Sequence, residues 1–248
     1  MKYKKIGDIL ILDNNYSDNN FDELSKKYNV KTIMKINHIQ GTKRKPVHQI
    51  LYGSSTETIN KENGCLFKLD LSEVMWSKGN NNERLRIAKL VEDNEKVIDM
   101  FAGIGYFTIP IGVHANASSV IAIEINPNSY QFLCENIKLN KLNNVIPVLG
   151  DCKDIAPEFK ADRIIMGYVK TTHHYLKVAI DSLNEGGILH YHETVPEKLI
   201  KTRPIERIIS KANGREVELL KINKIKKYAP GVEHVVIDAR IYWRSFPR

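Results

Sequence analysis

Asp99-Met100-Phe101-Ala102-Gly103-Ile104-Gly105-Tyr106 places a carboxylate and two glycines at the junction of an apolar strand and the start of a helix. Lys96-Val97-Ile98 supplies β-branched strand residues ahead of it, and Tyr106-Phe107-Thr108-Ile109 resumes an apolar run that can open the helix. Gly103 and Gly105 carry no Cβ to block a ligand at that helix N-terminus. Glu124 closes the next apolar run, Val120-Ile121-Ala122-Ile123, where an acid can accept hydrogen bonds from both hydroxyls of a ribose. The glycine turn and the acid together read as a clamp for a nucleoside.

A strand, glycines and a downstream acid also describe the nicotinamide-dinucleotide fingerprint, but two residues speak against it. Thr108 stands where that fingerprint needs a glycine or alanine, and Asp99 would set a carboxylate against a pyrophosphate. An adenosine-bearing cofactor without phosphates fits better, and S-adenosylmethionine (AdoMet) is one.

In such a sheet, ligands gather outside the carboxyl ends of the strands. Asp99, Glu124, Asp151 and Met166 all close predicted strands. Asp151, followed by Cys152, either takes an adenine amino group, with the adjacent amide meeting a ring nitrogen, or caps the next helix. Met166-Gly167-Tyr168 lies where the reacting end of the cofactor is expected, and Tyr168 either packs against a base or is a plain loop aromatic. His190 and His192, two apart on one strand face, are candidates for a proton relay, a metal site or a hydrogen-bonded structural pair. No third ligand accompanies them, so no metal is expected. His173 and His174 read as surface residues at a helix start.

The elements that must hold these residues follow an alternating pattern from residue 94 onward. Strands are predicted at 96–100, 119–124, 144–149, 161–166 and 187–193, with helices at 106–114, 127–140 and 172–184 between them. Pro127 suits the first turn of its helix. Two long alternating runs, Glu216 to Tyr228 and Glu233 to Phe246, flank Ala229-Pro230-Gly231 and read as an antiparallel hairpin. Five parallel strands closed by that hairpin make a Rossmann-like seven-stranded sheet, the α/β fold of class I AdoMet-dependent transferases. Residues 1–70 break the rhythm and read as a small α+β domain, with a hairpin-like start at Gly7, a helix at 21–29 and strands at 31–36 and 47–51. The segment 71–93 connects it to a catalytic domain over 94–248, with a strand from Leu66 to Met75 and a helix from Glu83 to Val91.

With 248 residues, 42% of them hydrophobic, the chain can bury a large core. No run approaches the ~18 apolar residues of a membrane span, and Met1-Lys2-Tyr3-Lys4-Lys5 is not followed by a signal-peptide core, so no membrane association and a cytoplasmic address are expected. Three widely spaced cysteines, Cys65, Cys134 and Cys152, indicate neither a disulfide framework nor a zinc knuckle. The net charge of +8 suits a polyanionic partner. Lys43-Arg44-Lys45 is the densest basic cluster, and Lys224, Lys226, Lys227, Arg240, Arg244 and Arg248 add charge near the C-terminus; each cluster alone could equally be a solvated surface.

Taken jointly, six segments resemble the archaeal and eukaryotic enzymes that modify the guanosine 3′ of the anticodon in phenylalanine tRNA, over nearly the whole chain. They are Glu62-Asn63-Gly64, Trp76-Ser77-Lys78-Gly79-Asn80 with Glu83-Arg84, Asp99 to Gly105, Glu124-Ile125-Asn126-Pro127, Gly150-Asp151-Cys152, and Tyr228-Ala229-Pro230-Gly231 with His234. One branch methylates N1 of the guanosine. The other moves the aminocarboxypropyl arm of AdoMet to a wybutosine precursor. Methyltransferases of the family resemble Phe-Ser-Pro-Arg-Leu where this chain has Trp76 to Asn80, so Gly79 replaces their catalytic arginine. They also carry an Asn-Leu-Pro or Asn-Pro-Pro motif in place of Met166-Gly167-Tyr168. Both departures imply the aminocarboxypropyl branch, with carbon 7 of 4-demethylwyosine as nucleophile and methylthioadenosine as leaving product. Gly167 would leave room for a different placement of the methionine end.

The resemblance implies a cofactor site of Ser77, Arg84, Asp99, Phe101, Gly103, Gly105, Glu124, Asn126, Asp151, Cys152, Met166 and Gly167, with Arg84 and Ser77 on the methionine moiety or its carboxylate. Tyr168, His190 and His192 are the candidates to accept the proton lost from carbon. Lys43, Arg44 and Lys45 would face the anticodon stem-loop of the tRNA. A monomer is expected. The alternatives are the guanosine N1-methyltransferase and, in another class, an RNA-binding protein that keeps the fold without catalysis.

Overall fold

The computed structural model describes residues 3–17, 20–41, 45–169 and 171–243. Lys43 and Arg44 of the predicted tRNA-facing cluster, and Arg244 and Arg248 near the C-terminus, lie outside them; of Lys45 only the backbone is described.

The chain opens with β1 (Tyr3–Ile6) and β2 (Ile9–Leu12), joined through Gly7 at a positive φ of 55°. Helix α1 (Phe21–Tyr28) follows, then β3 (Thr32–Gln40) and β4 (Lys45–Tyr52). These four strands form one sheet in the order β1-β2-β3-β4, and Leu10, Leu12 and Ile33 pack with Leu24 of α1 in a core of their own. Asn20 starts α1 by accepting from the Glu23 amide while its own amide donates back to the Glu23 carboxylate, a reciprocal cap.

A separate hairpin, β5 (Glu57–Glu62) and β6 (Cys65–Asp70), comes next. Its first strand was not anticipated, although Asn63-Gly64 is a two-residue hairpin signal: both take positive φ, 50° and 78°. The strand predicted to continue to Met75 stops at Asp70, whose carboxylate accepts the Ser72 amide at 2.7 Å and turns the chain. Helix α2 (Asn81–Leu90) follows a short 3-10 turn over Lys78–Asn80.

The remaining strands, β7 (Lys96–Asp99), β8 (Ser119–Glu124), β9 (Val145–Leu149), β10 (Ala161–Met166), β11 (Leu183–Pro196), β12 (Glu216–Ala229) and β13 (Val232–Tyr242), form the seven-stranded sheet. Its order is β12-β13-β11-β10-β7-β8-β9, with β7 to β11 mutually parallel and β13 antiparallel to both neighbours. This is the expected α/β transferase sheet. The carboxyl ends of the parallel strands share one rim with the turn between β12 and β13, because Pro196 pairs with Val232.

Helices α3 (Thr108–His114), α4 (Pro127–Leu139), α5 (Cys152–Ile155), α6 (Leu176–Asp181) and α7 (Arg203–Lys211) cover the two faces. The predicted helix over 172–184 is a 3-10 turn, Thr172–Tyr175, followed by the short α6, because Leu183 already pairs with Ala161 as the start of β11. Helix α7 was missed. One apolar core packs Val97, Val120, Ala122 and Ile165 against α2, α3 and β6; the other packs Ile98, Ile121, Ile164 and Leu189 against α6 and α7.

The β5–β6 hairpin is bonded to α4: Asn136 Oδ1 and Asn140 Oδ1 accept the amides of Lys68 and Leu66 at 2.6 and 2.8 Å. We therefore propose a unit boundary near residue 53, with the hairpin belonging to the larger unit, in place of 70. Among the described residues no helix is long and apolar enough to cross a membrane, and no group of three or more His, Cys, Asp or Glu could hold a metal ion.

Candidate active site

Glu124 ends β8 beside the glycine turn that follows β7, as the sequence pattern requires. One carboxylate oxygen accepts the Gly103 amide and the other the Asn126 amide, both at 2.7 Å. A carboxylate offers about four lone-pair directions, so about two remain for the vicinal hydroxyls of a ribose. Burial pushes the Glu124 carboxyl up, and the backbone amides pull it back without fully offsetting that. Two hydroxyl donors would supply the solvation the buried charge lacks, so the residues present fit an adenosine ligand.

Gly103 and Gly105 adopt positive φ of 58° and 98°. A Cβ at Gly103 would fall 2.7 Å from the Tyr106 ring, and one at Gly105 would fall 2.5 Å from Ile109. The turn therefore needs glycine for its own backbone and packing, a different reason from the ligand clearance inferred from sequence. Asp99 is fully buried; it accepts from Thr108 Oγ1 at 2.8 Å and from the Phe101 amide. Burial raises its carboxyl to about 6, against the pull of the Thr108 bond. Thr108, which breaks the dinucleotide fingerprint, is thus the partner of Asp99.

Several predicted ligands have other principal tasks. Asp151 caps α5 by accepting the Lys153 amide at 2.9 Å, and Asn126 caps α4 through Asn128. The Asp151 cap leaves its second oxygen for an adenine amino group. Cys152 is buried beside Asp151, and burial drives its thiol up to about 12, so it is inert packing at that rim. Met166 is fully buried in the second core, so its side chain does not line the site.

Arg84 departs most from expectation. Its guanidinium is 2% exposed, donates to Glu62 Oε1 at 2.7 Å and to the Ser77 carbonyl at 3.2 Å, and lies over both the Trp76 and Tyr106 rings, 4.4 and 4.9 Å from their centroids. It is a pillar under the Trp76-Ser77 loop, and its pairing with Glu62 leaves no fork for a ligand's carboxylate. Gly167 likewise leaves no vacant room: a Cβ there would sit 2.6 Å from the Phe107 ring.

The proton-acceptor candidates also separate. His190 is buried with both nitrogens engaged: Arg163 Nη1 donates to Nε2 at 2.7 Å, which fixes the proton on Nδ1, and Nδ1 donates to Asp238 at 2.6 Å. It belongs to a buried network in which Arg163 also pairs with Glu95 and Arg86 bridges Asp238 to Glu83. Burial pushes the Asp238 carboxyl up, but the His190 and Arg86 bonds outweigh that and hold it well below the usual carboxylate range.

His192 is 1% exposed, bonds through Nδ1 to His234 Nε2 at 3.1 Å, and packs edge-on to Phe107 at 5.2 Å. Burial, then the neighbouring His234, hold it well below the usual imidazole range, so it is neutral and a weak base. Its Nε2 has no hydrogen-bond partner. Tyr168 is half-buried, with its ring stacked on Phe101 at 5.5 Å, and Phe101 meets Tyr175 edge-on at 5.1 Å.

Lys226, read from sequence only as part of a basic cluster, had no local signal that would bring it to Ser77. Lys226 of β12 donates to Ser77 Oγ at 3.0 Å across 149 residues of chain, and a Cβ at Gly79 would lie 3.3 Å from its Cδ.

The sheet order, the glycine turn and the Glu124 clamp define a class I AdoMet-dependent transferase. The model of the TRM5/TYW2 methyltransferase domain matches residues 58–220, and the chain belongs to that family. It is 51% identical, over 97% of its length and 98% of the relative's, to the tRNA(Phe) (4-demethylwyosine(37)-C(7)) aminocarboxypropyltransferase of Methanocaldococcus jannaschii. To the tRNA (guanine(37)-N(1))-methyltransferase Trm5b of Pyrococcus abyssi it is 43% identical, over 86% of this chain and 64% of that one. The crystal structure of M. jannaschii TYW2 in complex with AdoMet superposes with a TM-score of 0.83 at 48% identity, covering 98% of this chain and all of that one.

Proposed function

We propose that this chain transfers the 3-amino-3-carboxypropyl group of AdoMet to carbon 7 of 4-demethylwyosine in tRNA(Phe), next to the anticodon. Near end-to-end identity to an enzyme of that activity supports the substrate. The observation that carries the choice of transferred group is position 79, where glycine packs against Lys226 in place of the arginine that the resemblance assigns to the methyltransferases.

When bound, AdoMet supplies a sulfonium whose three attached carbons are all open to displacement, so placement decides which one reacts. Glu124, with the Gly103 and Asn126 amides, would hold the ribose. Asp151 and the rim of α5 would border the adenine. The Phe101–Tyr168 stack at the ends of β7 and β10 would receive a flat base, which needs an aromatic face more than a charge. The new bond joins carbon 7 to the methylene of the arm, the methylene–sulfur bond breaks, and methylthioadenosine departs. His190 is locked and His192 is a weak base, and a phenol such as that of Tyr168 accepts a proton less readily still, so we assign the departing proton to none of the three candidates and take it to leave to solvent.

The anticodon stem-loop would lie along the same rim, which carries Lys224 and Lys227 on the β12–β13 hairpin. We place the enzyme in the cytoplasm, since tRNA is the substrate, and propose that it acts as a monomer. Single-turnover reactions with AdoMet labelled separately in the methyl and carboxyl carbons test the reading. Carboxyl label in tRNA is expected, and methyl label there would overturn it in favour of the N1-methyltransferase. An AdoMet pool left intact by correctly premodified tRNA would favour a non-catalytic RNA-binding protein.

A further inference from the structure

The guanidiniums of α2 and β10 each meet an acid of their own. Arg84 pairs with Glu62, Arg86 with Glu83 and Asp238, and Arg163 with Glu95. The end of β11 reverses that balance. Arg203, the first residue of α7, and Arg207, one turn further on, both pair with Glu193 Oε1, at 2.8 and 2.5 Å, and among the described residues no second acid lies within ion-pair distance of either. Tyr191 Oη donates to the other carboxylate oxygen at 2.8 Å. Two guanidiniums against one carboxylate leave one positive charge. Glu193 is 2% exposed and the arginines 29% and 30%, so that charge is held on a buried base and reaches the surface.

This hub stands on the rim of the site. Tyr191 pairs in register with Met166, the last residue of β10, and Glu193 lies two residues further along its strand, about 7 Å beyond. Arg203 is fixed there by a second bond, from Nη2 to the Thr194 carbonyl at 2.7 Å. The loop that carries Gly167 and Tyr168 reaches the hub through the Thr172–Tyr175 turn. Thr172 Oγ1 donates to the Tyr168 carbonyl, Tyr175 meets Phe101 edge-on, and His173 is held below the usual imidazole range by burial and then by the Arg207 charge.

We propose that Arg203 and Arg207, seated on Glu193, bind a phosphodiester of the tRNA backbone beside the Phe101–Tyr168 stack. This deepens the reading above and rests on tRNA being the substrate. A phosphodiester carries one negative charge, which matches the surplus, and a guanidinium presents a planar fork of N–H donors to its two free oxygens. Arginines already ordered by a buried carboxylate lose little further side-chain freedom when the phosphate arrives. Contacts of this kind set position without reading sequence, so the hub fixes the strand and the stack receives the base.

Binding of tRNA(Phe) to the full chain at several salt concentrations, with calorimetric AdoMet binding as the measure of folding, tests the proposal. Arg207→Gln leaves Glu193 paired with Arg203, so AdoMet affinity should stay within about twofold while tRNA weakens about tenfold and the slope of log affinity against log salt becomes shallower by about 0.7–0.9, one phosphate contact. Arg207→Lys should keep most of the slope, because it keeps the charge. Arg215→Gln removes the same charge from beyond the other end of α7, where Arg215 pairs with Asp181, and should leave the slope unchanged. An unchanged slope in Arg207→Gln, an equal change in Arg215→Gln, or a matching loss of AdoMet binding overturns the proposal. Failure of the unaltered chain to bind tRNA(Phe) would instead sink the assignment of the substrate.

Discussion

Replacing Arg84 with methionine keeps most of the side-chain stem and removes the guanidinium. It strands Glu62, whose side chain is 9% exposed, and frees the Ser77 carbonyl. Breaking a buried ion pair from one side costs about 3–5 kcal/mol, because the remaining charge stays desolvated. The two cation–π contacts add about 0.5–1 kcal/mol each. For a chain of this length, each kcal/mol lowers Tm by about 2–4 °C, so the pair alone predicts a fall of about 6–20 °C. The double variant Glu62→Gln with Arg84→Met removes the stranded charge and should regain a substantial part of it. Thermal unfolding of the four proteins of this cycle measures the coupling, and calorimetry at a temperature where all are folded measures binding. AdoMet should lose little more than methylthioadenosine does, since Arg84 does not face the ligand. Intact stability together with a selective loss of AdoMet would refute this and restore Arg84 as the carboxylate ligand.

Gly167→Ala brings a Cβ to 2.6 Å from the Phe107 ring and should cost about 1–3 kcal/mol, with Phe107→Leu restoring stability in the double variant; chemical denaturation reads both. Glu124→Gln should weaken AdoMet and methylthioadenosine by the same factor, about tenfold, because the ribose is common to both. Burial raises the Glu124 carboxyl and the ligand hydroxyls favour its charged form, so affinity should be full above that raised value and fall as pH drops through it. In Glu124→Gln this pH dependence should vanish, and a persisting acid limb would assign it elsewhere. Asp238→Asn leaves Arg86 and His190 facing a neutral amide and should cost about 3–5 kcal/mol, seen as a lower denaturation midpoint with methylthioadenosine affinity retained.

The seven-stranded sheet was legible because its strands are short apolar runs separated by helical periods, signals that act over fewer than a dozen residues. Glu124 and the glycine turn could be read for the same reason, since chain order fixes which strand ends share a rim. The β5 strand was missed because Glu57-Thr58-Ile59-Asn60-Lys61-Glu62 carries one apolar residue, Ile59, which is exposed, while the polar Thr58 and Asn60 form its buried face. Helix α7 was missed because only Pro204 and Ile208 are buried on it. The site differs in kind. Whether an arginine meets a ligand or a buried glutamate depends on partners far away in sequence: Arg84 finds Glu62, His190 finds Asp238, and Ser77 finds Lys226. A residue type names what a side chain can do, and burial decides whether it is free to do it.

The buried network and the Lys226 contact are physically linked. Arg86 on α2 reaches Asp238 on β13, and α2 begins directly after the Ser77–Asn80 turn, while β13 pairs with β12, which carries Lys226. A helix packed only by apolar contacts can slide by fractions of an ångström at little cost, whereas two opposed donors on one carboxylate fix both distance and angle. Asp238 accepts from Arg86, His190 and Asn223 of β12, so a single carboxylate joins three of the elements that border the site. Replacing such a network with apolar side chains would often be neutral for stability. Its retention here fits a role in holding Ser77 and Lys226 at a fixed separation. In that case a fully apolar replacement of Arg86, Asp238 and His190 that restores Tm should still lose affinity for AdoMet, and a variant that restores both would show the network to be packing alone.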